Sequence, residues 1–157
     1  MAHIEMSKPR DEFLPVFYNV DGVVGAPPAD NKREDVLLVQ FFFVLIGRSP
    51  TPDRPPNVAA AFKAVQLTGV ADAQTIAAIK AFQESKRQRD PNVVVDGRAS
   101  PAKPGVAYAP RAAWIIVHLN LESKILHPDV WPRIDKIQGC PDDLKKMVER
   151  ETVGKTL

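Results

Sequence analysis

A single cysteine, Cys140, stands among 157 residues. That excludes an intramolecular disulfide, and it excludes a zinc site built from the chain's own thiolates. Histidine is scarce as well. His3, His118 and His127 lack the His-x-x-x-His or Glu-x-x-His spacing that would set two ligands on one helix face, so no metal or cofactor is expected. No run of Lys or Arg exceeds two residues, and 21 basic side chains meet 19 acidic ones for a net charge of +2. A basic stripe for nucleic acid is thereby excluded. The longest apolar run, Val36 to Ile46, is broken by Gln40 and is too short to span a bilayer. The opening MAHIEMSKPRDEF has no apolar signal-peptide core. The chain is therefore expected to be cytoplasmic as synthesised, with any delivery to the envelope by a non-Sec route. Gly-x-Ser-x-Gly, P-loop and dinucleotide fingerprints are missing. The adjacent acids Glu34-Asp35 and Asp142-Asp143 face different ways on a helix and make poor acid–base pairs. Together these absences point away from an enzyme.

Proline, by contrast, is abundant. Its 15 copies are roughly twice the usual share, and they cluster in connections outside the helical stretches. An apolar content of 45% suffices for one core in a chain of this length, so a mainly helical single domain is expected. Its parts are an N-terminal arm and loop (1–34), a core (35–121) and a C-terminal extension (122–157). Residues 1–12 read as frayed, and Phe13 to Val20 as an extended segment, since Pro15 opposes a helix interior. Acids at 34 and 35 open a helix that runs to a stop at Gly47; it is apolar almost all round and must be covered on every side, by the chain itself or by a homodimer. Val58 to Leu67 reads as a short helix or, toward its end, a strand. Asp72 caps a helix over 73–83 that presents Ile76, Ile79 and Phe82 on one face and turns Lys80, Glu84 and Lys86 to water. Val93 to Val95 reads as a short strand before an Asp96-Gly97 turn. A helix from Pro110 to about Ile125 places Trp114, Val117, His118, Leu121 and Ile125 inward. Trp131 and Ile134 are packing candidates in an irregular stretch, and Pro141 starts a last helix with Leu144, Met147 and Val148 inward. Val-Asp-Gly at 20–22, Leu-Thr-Gly at 67–69 and Val-Asp-Gly at 95–97 suggest strand–turn–helix used three times.

LVQFFFVLIG, TGVADAQTIAAIKAFQ, VVVDGRASP and RAAWIIVHL together resemble the peptidoglycan-binding-like domain family, a small three-helix fold. The matching positions are Gln40, Ile46-Gly47, Thr75, Ala78-Ile79, Phe82-Gln83, Asp96-Gly97 and Trp114, over about residues 35–121. Proline-rich insertions near 48–66 and 99–110 are longer than that family usually carries. The resemblance implies a three-helix bundle with short β segments, here with an added C-terminal helix. It also implies a non-catalytic module that binds bacterial cell-wall peptidoglycan. The apolar first helix and the lone cysteine support an alternative, a cytoplasmic protein–protein module such as an accessory, adaptor or immunity component of a secretion or phage-like system.

Four residues are candidates for ligand binding. Gln40 and Gln83 sit at the edge of apolar helix faces, where an amide either ties down a neighbouring turn or donates to a glycan or peptide. Asp96 is a turn-former or a ligand-binding acid. Arg98 is a solvated arginine or a fork for a peptide carboxylate.

Overall fold

The computed structural model describes residues 1–49, 51–104 and 114–155. The chain is mainly helical. Strand β1 (His3–Met6) pairs antiparallel with β2 (Val16–Asn19), and β3 (Val24–Gly25) pairs with β4 (Arg98–Ala99). The α-helices among the described residues are α1 (Arg33–Arg48), α2 (Pro56–Lys63), α3 (Ala73–Arg87), α4 (Ile115–Leu126) and α5 (Asp142–Thr152), with a 3-10 turn at Ile134–Lys136. No helix among the described residues is long and apolar enough to cross a membrane.

Helix α1 is the axis of the molecule. Every residue from Asp35 to Gly47 except Val44 is buried. Successive residues turn by about 100° on a helix, so Phe41, Phe42 and Phe43 point in three directions. Phe42 joins Tyr18 and Trp131 on one side, at ring centroid separations of 6.2 and 6.4 Å. Phe43 joins Phe62 and Phe82 on the other, at 5.3 and 5.9 Å. Each buried ring contributes on the order of 2 kcal/mol by transfer alone. The arm, α2, α4 and α5 supply the cover within one chain, where every apolar residue of α1 but Val44 is buried. Gly47 lies inside the last turn and does not end the helix. A Cβ there would stand 3.2 Å from the Phe62 backbone, so this glycine lets α2 cross close to α1.

The amino-terminal residues depart from expectation. Residues 3–6 are a paired strand rather than a frayed tail, and Ala2 and Ile4 belong to the core. Burial of one face and a ladder to β2 together outweigh the polar composition of the segment. Val93 to Val95 is not a strand. Val94 is exposed, and the β3 edge pairs instead with the residues just beyond the Asp96-Gly97 turn. The residues before Gly69 form no strand either, so the expected threefold strand–turn–helix is reduced to three held turns. The α2 segment is a helix only, with Pro56 in its first turn. The proposed helix start at Pro110-Arg111 lies outside the described residues.

Helix α4 is turned relative to expectation. Ile115, Ile116, Val117, Leu119, Asn120 and Ser123 are buried, while His118 and Leu121 are half-buried and Ile125 is 66% exposed. A buried polar side chain sets this rotation. Asn120 accepts from Tyr18 N (2.6 Å) and donates to Tyr18 O (2.8 Å) and Ile116 O (2.7 Å), so it lashes β2 to the helix. Apolar periodicity cannot register an inward asparagine. On α3 the inward set is Thr75, Ala78, Ile79, Phe82 and Gln83, with Ile76 only half-buried, again because polar residues occupy the inner face. The last helix presents Leu144, Met147 and Val148 inward, and Ile134 is buried with Trp131 edge-on to Tyr18 at 5.6 Å.

Replacing Asn120 by Leu removes the acceptor for Tyr18 N and the donor to Tyr18 O, both on a fully buried residue. Unpaired buried groups cost about 1–3 kcal/mol each. Asn120→Leu is expected to lower stability by about 3 kcal/mol, whereas Ile125→Ser on the exposed side of the same helix should change it by less than about 0.5 kcal/mol. Urea unfolding curves of the two variants check this.

Candidate functional site

Three glycine turns are each held by a side chain from a helix. At the first, Gly22 N donates to the Asp35 carboxylate at 3.0 Å. Burial pushes that carboxyl above its ordinary value, against the opposing pull of the Gly22 hydrogen bond. At the second, Gln40 Oε1 accepts from Thr68 N (3.1 Å) and Gly69 N (2.9 Å), while its Nε2 lies within 3.1 Å of Thr68 Oγ1, Val70 O and Thr75 Oγ1. Asp72 caps α3 here, accepting from Thr75 N at 2.9 Å and from the Thr75 hydroxyl at 2.7 Å. The first helix, the turn and the third helix are thereby joined through one carboxamide.

At the third turn Gln83 repeats the arrangement. Its Oε1 accepts from Asp96 N (3.1 Å) and Gly97 N (2.9 Å), and its Nε2 donates to Asp96 Oδ1 and Arg98 O, both at 2.9 Å. Asp96 Oδ1 also accepts from Arg98 N at 2.9 Å, which closes the turn. Gly69 and Gly97 adopt φ of +74° and +72°, a region that L side chains rarely occupy. Arg98 leans back on Asp96, Nε to Oδ2 3.4 Å, with both side chains about one-third exposed. An ion pair so open to water is worth well under 1 kcal/mol. Three of the four candidates from sequence, Gln83, Asp96 and Arg98, therefore share one network, and Gln40 stands apart in its own. Both glutamine amides are spent on the backbone and side chains of the turns they hold.

A cleft among the described residues that could receive a ligand lies elsewhere. It encloses about 350 Å³ between α2, α3 and α4, with residues 51–55 of the proline-rich connection at its mouth. Val58, Phe62, Phe82 and Leu126 give it an apolar lining. Arg54 comes in from the connection and donates to Ile46 O at 3.1 Å, capping a carbonyl at the negative end of α1. Its guanidinium carbon stands 5.1 Å from the centre of the Phe62 ring, and Lys86 Nζ stands 5.0 Å from that of Phe82. Glu122 of α4 lies between the two cations. One oxygen bonds Lys86 Nζ, and the other faces Arg54 Nη2 at 3.9 Å. Arg89 and Asp53 complete the charged lining. None of Gln40, Gln83, Asp96 or Arg98 lines this cleft.

Sequence reasoning missed the cleft because its parts come from three separate stretches, 51–62, 82–89 and 122–126. Lys86 in particular reads as a solvent-facing residue. The one local signal is Phe82 and Lys86, four residues apart on a helix and hence neighbours on its surface.

His118 precedes Glu122 by one helical turn, and burial followed by the Lys86 charge holds its pKa below 6.5. Cys140 is buried and its thiol is pushed up to about 12, chiefly by that burial, so it is no thiolate nucleophile near neutral pH. Among the described residues no group of three or more His, Cys, Asp or Glu could hold a metal ion. No family model, curated protein or solved structure matches the chain.

Two expected outcomes follow from these geometries. Gln83→Glu keeps the acceptor for Asp96 N and Gly97 N but sets a second carboxylate against Asp96. The variant should lose about 2–3 kcal/mol at pH 7, and the deficit should shrink toward pH 4 as the new carboxyl takes a proton. Denaturant midpoints across that range test it. His118 is lowered, so the unfolded chain binds its proton more readily than the folded one. Its contribution is present above pH 6.5 and is lost as pH falls from 6.5 through the folded value. The stability of wild type should therefore drop more steeply between pH 7.5 and 5.5 than that of His118→Gln, as read from melting temperatures.

Proposed function

We propose that this chain is a non-catalytic binding module for bacterial cell-wall glycopeptide, with a peptidoglycan-binding-like bundle formed by α1, α3 and α4. The observation that carries this reading is the cleft, where Arg54 and Lys86 rest on aromatic rings beside an apolar floor. Its volume lies at the small end of ligand sites, which are mostly apolar with a few placed polar groups. A short peptide bearing carboxylates and small apolar side chains matches that lining. Support comes also from the residues behind the family resemblance. Gln40, Thr75, Gln83, Asp96 and Gly97 all serve one structural device, a helix glutamine holding a glycine turn.

One feature favours a protein partner instead. Ile125 lines the cleft and is 66% exposed, an apolar rim suited to another chain's side chain. Co-sedimentation with purified peptidoglycan sacculi at moderate salt separates the two. Wild type should pellet, Lys86→Glu should lose roughly tenfold in apparent affinity, equivalent to about 1.4 kcal/mol, and Arg98→Ala should stay within about twofold. Protein left wholly in the supernatant would sink the wall reading.

A further inference from the structure

We propose that Glu122 occupies the position of a ligand carboxylate, and that the cleft takes the free C-terminus of a short peptide ending in an apolar residue. The inference rests on the preceding reading only for the cleft being the ligand site. Glu122 presents one oxygen to Lys86 and the other toward Arg54. A carboxylate bridging two cations from separate elements is the arrangement that a bound carboxylate would adopt. The acid and Lys86 are partly withdrawn from water, with side-chain exposures of 27% and 21%, so their attraction is less screened than at an open surface.

Both cations retain capacity. Arg54 spends one N–H on Ile46 O, and a lysine ammonium carries three donors of which the Glu122 bond uses one. The lining counts Arg54, Lys86 and Arg89 against Asp53 and Glu122, an excess of one positive charge. An entering carboxylate either displaces Glu122 toward solvent or shares its cations, and in both cases Glu122 opposes it. The apolar last residue lies against Val58, Phe62, Phe82 and Leu126. A fatty acyl chain would fit that floor equally well, yet it would set methylenes against Thr51, Ser85 and Gln88, whose polar groups a peptide backbone can pair. The peptide is therefore the favoured source of the carboxylate.

Titration calorimetry at low salt tests this with N-acetyl-Ala-Leu as the free acid, the same peptide as its C-terminal amide, and octanoate. The free acid should bind wild type at least tenfold more tightly than the amide or octanoate. Glu122→Gln should tighten the free acid severalfold, and Lys86→Gln should weaken it by about tenfold. Because the two substitutions push in opposite directions, general damage to the fold cannot imitate the result. An amide that binds as well as the acid, no binding of the acid, or a Glu122→Gln variant that binds no more tightly would overturn the proposal. Octanoate matching the peptide would overturn its peptide part. Sacculus pelleting that persists without any binding of the free acid overturns this inference alone. Absence of pelleting with the expected calorimetry overturns the wall reading alone.

Discussion

The irregular parts of this protein depend on one interaction, a neutral side-chain carboxamide set against a backbone peptide. An amide side chain carries an acceptor and a paired donor, the same complement as a peptide unit. It can therefore replace the missing neighbour of a turn or strand inside the core without burying charge. Four buried amides do this. Gln40 and Gln83 hold glycine turns, Asn120 holds β2 at Tyr18, and Asn19 holds Ala102 through N (2.9 Å) and O (3.0 Å). With a chain rich in proline and short of regular sheet, these contacts do what a longer ladder does elsewhere. Each also joins segments far apart in sequence, so turns and helices are ordered together rather than one by one.

Helix α1 supplies the complementary, apolar half of the arrangement. Of its three consecutive phenylalanines, all buried, Phe42 and Phe43 serve aromatic clusters on different sides, which requires cover on more than one side of the helix. That makes α1 uninformative by periodicity but easy to place by composition. The existence of α1, α3 and α5 could be read directly from Asp72, the acids at 34 and 35, Pro141 and the flanking apolar patterns. The orientation of α4 and the inner face of α3 could not. Both faces carry buried Asn, Gln or Thr, and a pattern that scores apolar residues assigns such positions to solvent. Strand β1 was hidden for a related reason. Only Ala2 and Ile4 reach the core, too few to stand out from a polar arm, and the pairing with β2 is a tertiary fact.

The candidate residues show the same division. Glutamine beside a glycine turn was legible as a pattern, and the structure brings Gln83, Asp96 and Arg98 into one network as that pattern implies. The cleft was not legible, because its chemistry is assembled from a loop and three helices. Arg54 sits among prolines with nothing local to distinguish it. Its significance comes from the α1 carbonyl that it caps and the Phe62 ring beneath it.

The proline-rich connection thus has a purpose beyond joining α1 to α2. Its chain positions Arg54 at the negative end of α1, where the helix dipole favours a cation and the Ile46 carbonyl, shared with Ser49 N, fixes its direction. That leaves Nη2 of the guanidinium facing Glu122 across the cleft at 3.9 Å. On the proposed reading, stability and binding draw on one side chain here, and their demands conflict. A guanidinium satisfied entirely by the helix end would offer nothing to a ligand, while one left free would not be held in place. The division observed, one N–H to Ile46 O, a face on Phe62 and an edge toward the cleft, meets both demands. Lysine at this position, with a single ammonium and no planar face, could meet only one of them.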